Sequence, residues 1–426
     1  MLSAVLTVTA LTGAAHAWGH HYLVTDQALN HPEALTGDKT AVVESIEAYL
    51  SDDAEGVAAV FEAHYDWLEA RGSTRFSRAS FDAGEPSRAS FLAAARLNPE
   101  TRVPLVVRRL PGESASYGFA IDPSAASPFL HEKAPLITKV EVTVEGSEIP
   151  ARLVVATFTD EPDWGFDHTL WGYTDYGYGE QPYGKPEGES SKAPFHMQFA
   201  HEAFLVKKFV PTVLEGMASD RVDLFTRLAR HAFEGGHDYW GWRFSAWAIH
   251  YAQDLAQPYH SKTIPSATGA FYLRYVVSPR KELLTDRATQ LAANRHFLYE
   301  DFVAYGLQES YLGDEETYET LAGYLAWGDH TFDVPDAEAL IVELMDYAAA
   351  HSRTIDSTLV KAFGSSLTKN YEFDVETDPA YDIVNEMGSM DAKSAQKLLD
   401  ETGKDFERAG RATRTILQFT YGVSAD

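Results

Sequence analysis

Residues Tyr239 to Ser261, YWGWRFSAWAIHYAQDLAQPYHS, decide how this chain is read. Between Arg243 and Gln257 the stretch holds neither Gly nor Pro and is apolar on nearly every side, which predicts a buried helix stopped by Pro258. His250 and Asp254 are four residues apart and share a face, with Arg243 and Trp247 extending the same stripe. Phe244, Ala248, Tyr251 and Leu255 form the neighbouring stripe. A carboxylate on such a helix needs a partner, because burial alone drives it toward its neutral form. A metal ion is one such partner, and His260, just past the Pro258 break, can turn a second imidazole back toward the same cavity.

Working outward, His296 and Glu300 in NRHFLYEDFV repeat the four-residue spacing in another helical segment. Spacing alone is not diagnostic, since 16 His among 63 acidic residues produce such pairs by chance. A single His on an apolar helix is more often a hydrogen-bonded core residue than a ligand. Upstream, EPDWGFD supplies Asp163 and Asp167, APFHM supplies His196, and WGHHYLVTDQAL places His20 and His21 beside Trp18. Each of these taken singly reads as turn chemistry or a hydrophobic staple.

The composition narrows the chemistry. With 426 residues, 45% hydrophobic and 23% charged, most of the chain is expected to pack. Cys is absent, which removes disulfides, thiolate zinc sites, iron–sulfur clusters and cysteine nucleophiles, so any metal must be held by His, Asp and Glu. A formal charge of −28 argues against a stable nucleic acid complex unless bound cations invert the field locally. Residues 1–17 are an apolar run ending in Ala15-His16-Ala17, the small-x-small pattern of a cleaved signal peptide. This predicts a secreted or periplasmic protein of residues 18–426 whose mature chain begins at Trp18, although no basic residue precedes the run.

The expected architecture is mainly α. Helical spacing runs from Tyr22 to about Leu97 and again from His196 to Gly422, ending in an amphipathic helix around FERAGRATRTILQFTY. Between about residues 102 and 159 β-branched runs take over, with Val140, Val142 and Val144 alternating against Lys139, Glu141, Thr143 and Glu145, and a small β insert is expected. Residues 172–194, rich in Gly, Pro, Ser and Tyr, read as a long loop, and such loops are usually either functional or disordered, the interleaved tyrosines slightly favouring an ordered lid.

In chain order, Trp18, His21, Asp163, His196, His250-x3-Asp254-x5-His260 and His296-x3-Glu300 resemble the bacterial zinc-dependent phospholipase C family and the related fungal single-strand nucleases. HYAQDLAQPYH is the most specific segment, similar even at its Gln-Pro step, and the likeness is concentrated in residues 18–29 and 163–302 and in the last helix. The resemblance implies a multi-helix domain holding three zinc ions. Asp163, His196, His250 and Asp254 would hold the first. Asp254 would bridge to a second bound by His21 and by the amine and carbonyl of Trp18, and His260, His296 and Glu300 would hold the third. Three departures leave choices open: His20 stands beside His21, Asp167 and Asp175 compete with Asp163, and the β insert has no recognised counterpart.

Zinc clustered around shared carboxylates suits phosphodiester hydrolysis, with Asp254 bridging and Asp163 as general base. Phospholipid is the expected substrate, with peripheral membrane contact, and Tyr173, Tyr176, Tyr178 and Tyr183 are candidates to cover acyl chains or enclose a choline. A single-strand nuclease or nucleotidase, in which those rings stack bases, is the second reading. A non-catalytic secreted protein stabilised by zinc is the third.

Overall fold

A computed structural model describes residues 18, 20–73, 78–110, 113–130, 139–171, 179, 181–183, 192–202, 204–209, 211–263, 265, 278–312 and 315–422. The fold is mainly helical with a small two-sheet β component. At its centre lies the helix Asp238–Ala256, in which every residue from Tyr239 to Ala256 is buried. The helices Ala218–Glu234, Ala151–Thr159 and Ala392–Leu417 pack around it. Its apolar side chains account for its position, since each fully buried one contributes roughly 1.5–3 kcal/mol. Gly241 lets a neighbour close in: a Cβ there would lie 2.5 Å from the Phe233 ring.

Arg243 lies in the middle of this helix with no exposure. It is kept by Glu161, whose carboxylate accepts from Nε at 2.9 Å and Nη2 at 2.5 Å, and by the Phe158 ring, 3.8 Å below the guanidinium. The chain leaves the helix at Gln257, and Pro258 opens a separate turn, Pro258–Ser261, as the sequence predicts. The helix Lys281–Leu312 is tied to Ala337–Thr368 by Arg295, 3.0 Å from Asp356. The closing helix is longer than its amphipathic stretch suggested, running from Ala392 to Leu417 behind an Asp391 cap and continuing as a π-turn at Gln418–Gly422. A Cβ on its Gly410 would lie 2.0 Å from the Leu325 carbonyl oxygen.

Three expectations are corrected. The opening segment is not wholly helical: strand β1, Thr40–Val42, pairs antiparallel with Glu148–Pro150, so a short ribbon joins parts of the chain about a hundred residues apart. The β insert also ends earlier, at Pro150. Ala151–Thr159, ARLVVATFT, is a helix despite its β-branched residues, because all but one of its side chains are buried and that burial overrides a weak local preference. Finally, alternation along the strand Lys139–Thr143 does not separate Val from Glu. This strand is the middle one of three, paired with Val106–Arg109 and Gly118–Ile121, and Glu141 is buried while Val144 is 65% exposed. Glu141 stays because Arg109 approaches at 3.4 Å and the Tyr117 N–H donates at 2.9 Å. Among the described residues no helix is long and apolar enough to cross a membrane.

Candidate metal centre

Four segments deliver imidazoles and carboxylates to the end of the central helix. His21 opens the helix His21–Ala28, and Asp163 sits in the turn Glu161–Trp164. His196 closes the short helix Ala193–His196, while His296 and Glu300 project from Lys281–Leu312. With His250, Asp254 and His260 they form three buried groups, His21–Asp163–His250, His196–His250–Asp254 and His260–His296–Glu300. Within each group the potential ligand atoms lie within 4.8 Å of one another.

Hydrogen bonds on the far side of each ring fix which nitrogen faces the centre. His250 Nδ1 donates to the Thr159 carbonyl and His260 Nδ1 to the His196 carbonyl, both at 2.8 Å. His21 Nδ1 donates to Gln253 Oε1 at 2.8 Å. The Gln253 amide is oriented by Thr413, whose hydroxyl proton goes to the Ala409 carbonyl, so that its oxygen accepts from Gln253 Nε2. Carbonyl oxygens only accept, so in neutral rings the Nε2 lone pairs of His21, His250 and His260 point inward.

Those lone pairs meet carboxylate oxygens, also acceptors. His21 Nε2 lies 3.5 Å from Asp254 Oδ1, His250 Nε2 3.4 Å from Asp254 Oδ2 and His260 Nε2 3.6 Å from Glu300 Oε1. His21 Nε2, Asp254 Oδ1, His260 Nε2 and Glu300 Oε1 are buried without a hydrogen bond. Two ligands each about 2.0–2.1 Å from one tetrahedral zinc are separated by ~3.4 Å. The orphaned acceptors and their spacing therefore fit cations lying between them, and a set of imidazoles and carboxylates without sulfur suits zinc.

The charge states differ from ring to ring. Burial alone would raise Asp254, but His250 and His196 hold its carboxyl well below the usual range. Burial pushes His250 down to about 3 and also lowers His260, so both rings are neutral at pH 7. For His196 burial is outweighed by Asp254 and Asp167, which raise it to about 9. His21 is raised in the same way by Asp254. His196 Nδ1 contacts Asp254 Oδ2 at 2.8 Å, and its Nε2 lies 3.2 Å from Asp167 Oδ2.

The structure also separates the candidates. His21 enters the groups, whereas half-buried His20 packs edge-on against Tyr22. Asp163 enters them, whereas Asp167 takes Arg221 and the Tyr251 hydroxyl at 2.5 Å and stands behind His196. Asp175, Tyr173, Tyr176, Tyr178 and residues 1–17 lie outside the described residues. Trp18 is fully buried, its Nε1 donating to the Gln253 carbonyl at 2.7 Å and its ring edge-on to Phe406. Its carbonyl accepts the His20 N–H at 2.5 Å. Tyr183, a candidate to contact substrate, is buried against Phe199 and donates to the Met197 carbonyl at 3.0 Å.

Sequence reasoning missed four supporting groups: Gln253, Gln257, Lys192 and the Thr159 carbonyl. Gln257 Nε2 lies 3.2 Å from His296 Nε2, and its Oε1 accepts from the Tyr259 N–H at 2.6 Å. The two glutamines carried a signal, being amides on a segment otherwise fully apolar around the ligands. Lys192 carried none, since it ends a loop and meets Asp163 only through the fold. No family model matches the chain, and neither a curated protein nor a solved structure matches it.

Proposed function

We propose that this protein is an exported zinc-dependent phosphodiester hydrolase similar to the zinc-dependent phospholipases C, releasing a phosphorylated head group from phospholipid. The observation that carries this reading is the meeting of three adjoining buried groups of imidazoles and carboxylates in which His21 Nε2, His260 Nε2, Asp254 Oδ1 and Glu300 Oε1 have no hydrogen bond. A closed structural site would leave no position for a substrate, and His–carboxylate sites with open positions are the catalytic kind. Asp163, His196, His250 and Asp254 would hold one ion, His21, Asp254 and the Trp18 backbone a second, and His260, His296 and Glu300 a third. Cleavage after Ala17 would free the Trp18 amine for that role. Bound zinc supplies neutralisation of phosphate oxygens, a water of lowered pKa and support for the leaving oxygen.

The chain's own residues do the rest. Asp254, contacted by His21, His196 and His250, holds the positions around it in a fixed relation. Asp163, at the edge of the same cluster, is placed to accept a proton from the attacking water. The net charge of −28 favours a single phosphodiester over a polyanion and supports lipid over nucleic acid.

The test is to incubate zinc-loaded protein beginning at Trp18 with lecithin vesicles and, separately, with single-stranded DNA, each with and without a chelator. Chelator-sensitive phosphocholine release is the expected result. Nucleotide release alone replaces the lipid substrate by nucleic acid with the same residues, and zinc binding with neither product points to a zinc-stabilised binding protein. N-terminal sequencing of protein from an exporting host is expected to begin at Trp18, and a start at Met1 overturns the export assignment.

A further inference from the structure

The buried carboxylates around the centre do not share one kind of cation. Asp167 takes Arg221, Glu161 takes Arg243, and Asp160 takes Arg108 at 3.1 Å. These three stand outside the metal groups, and each is met by a guanidinium, a planar fork that can span both oxygens. Asp163, which lies inside a group and also pairs with a basic side chain, is met by a lysine: Lys192 Nζ lies 2.5 Å from Asp163 Oδ1 with the lysine 1% exposed. An ammonium is a compact point charge that binds a carboxylate at one oxygen and leaves the group able to ligate.

Lys192 is also fixed to the centre through the backbone. It immediately precedes Ala193–His196, so a single turn places both the ammonium and the His196 ring. That turn is held by the Met217 N–H donating to the Pro194 carbonyl at 2.7 Å and the Gln198 N–H to the His260 carbonyl at 2.9 Å. The same His260 donates Nδ1 back to His196, so the lysine, His196 and His260 belong to one braced unit.

We propose that Lys192 is the positioning residue of Asp163, its ammonium holding the carboxylate turned toward His21 and His250 so that Asp163 serves a cation bound there. The assignment rests on the centre being a metal site and is independent of the reaction catalysed. Outer hydrogen-bond partners of metal ligands are worth about 10–100-fold in metal affinity, which sets the expected effect.

Zinc affinities of the parent protein, Lys192→Met, Lys192→Arg, Asp163→Asn and Lys192→Met/Asp163→Asn are compared by competition with a chromophoric chelator, with circular dichroism confirming the fold. Lys192→Met is expected to weaken one ion about 10–100-fold and leave the others unchanged. Lys192→Arg keeps the positive charge but is expected to recover little of that loss, because a guanidinium can span both oxygens of Asp163, and in the Asp163→Asn background Lys192→Met is expected to add nothing. Unchanged or tighter binding in Lys192→Met overturns the proposal, because the ammonium would then only compete with the ion. An equal loss in the Asp163→Asn background also overturns it, because the lysine would not act through Asp163. Should Lys192→Met not fold, Lys192→Arg decides alone: a loss of about 10–100-fold at one ion supports the proposal, and affinity equal to the parent's overturns it. A parent protein that takes up no zinc overturns both this assignment and the metal reading.

Discussion

His21 Nε2 and Asp254 Oδ1 face each other at 3.5 Å across a fully buried gap, and neither atom has a hydrogen bond. The two residues are more than two hundred positions apart, yet each is aimed by its own element: His21 by Gln253 behind it, Asp254 by the central helix. Asp254 raises His21, which favours a proton between the two atoms, and a bound metal cation would take that proton's place.

Asp254→Asn is expected to cost at least one zinc ion per molecule and to reduce chelator-sensitive hydrolysis by more than about 100-fold, above the range of an outer partner. Metal analysis of the purified variant beside the parent checks this, and full zinc content with full activity would refute the bridging role.

Gln253→Leu removes the acceptor that fixes the His21 tautomer while leaving every proposed ligand in place. Zinc affinity is expected to fall about 10–100-fold at one ion, with the others unaffected. Chelator competition separates this from a general loss of structure.

Zinc uptake is expected to depend on pH with a definite sign. Without metal, Asp254 and Asp167 outweigh burial and raise His196 to about 9, so at pH 7 the ring carries two protons, one toward each aspartate. Ligation through Nδ1 releases one of them, so affinity rises with pH through the neutral range and levels off above about 9. Calorimetry in buffers of different ionisation enthalpy reads the proton count. Uptake at pH 7 with no proton released would remove His196 from the ligand set.

Zinc binding is also expected to stabilise the fold, since the ligands come from segments that only the folded chain brings together. Free zinc at about 100 times its dissociation constant adds roughly 2.7 kcal/mol per site. The thermal midpoint should therefore rise with zinc concentration and fall on chelation.

Arg243→Met tests the helix itself, apart from the metal. It leaves Glu161 buried and unpaired, and the expected loss is about 3–5 kcal/mol in urea unfolding. Adding Glu161→Gln should recover part of that loss, because the stranded charge dominates it.

The sequence by itself determined the central helix, its stop at Pro258 and the pairs His250–Asp254 and His296–Glu300, because a four-residue spacing on an unbroken apolar helix is local information. Asp163, His196, His260 and His21 joined the same set only through the family resemblance that their order along the chain carries. The sequence could not choose between His20 and His21, or between Asp163 and Asp167, because adjacent or nearby residues of one type differ only in what the rest of the chain places opposite them. Only the tertiary structure put Gln253 behind His21, Asp167 behind His196 and Lys192 on Asp163. It likewise turned ARLVVATFT into a helix and paired Thr40–Val42 with Glu148–Pro150. Periodicity reports which face of an element is buried. Which distant group meets that face, and so which nitrogen of a ring stays unprotonated, is fixed only when the elements pack.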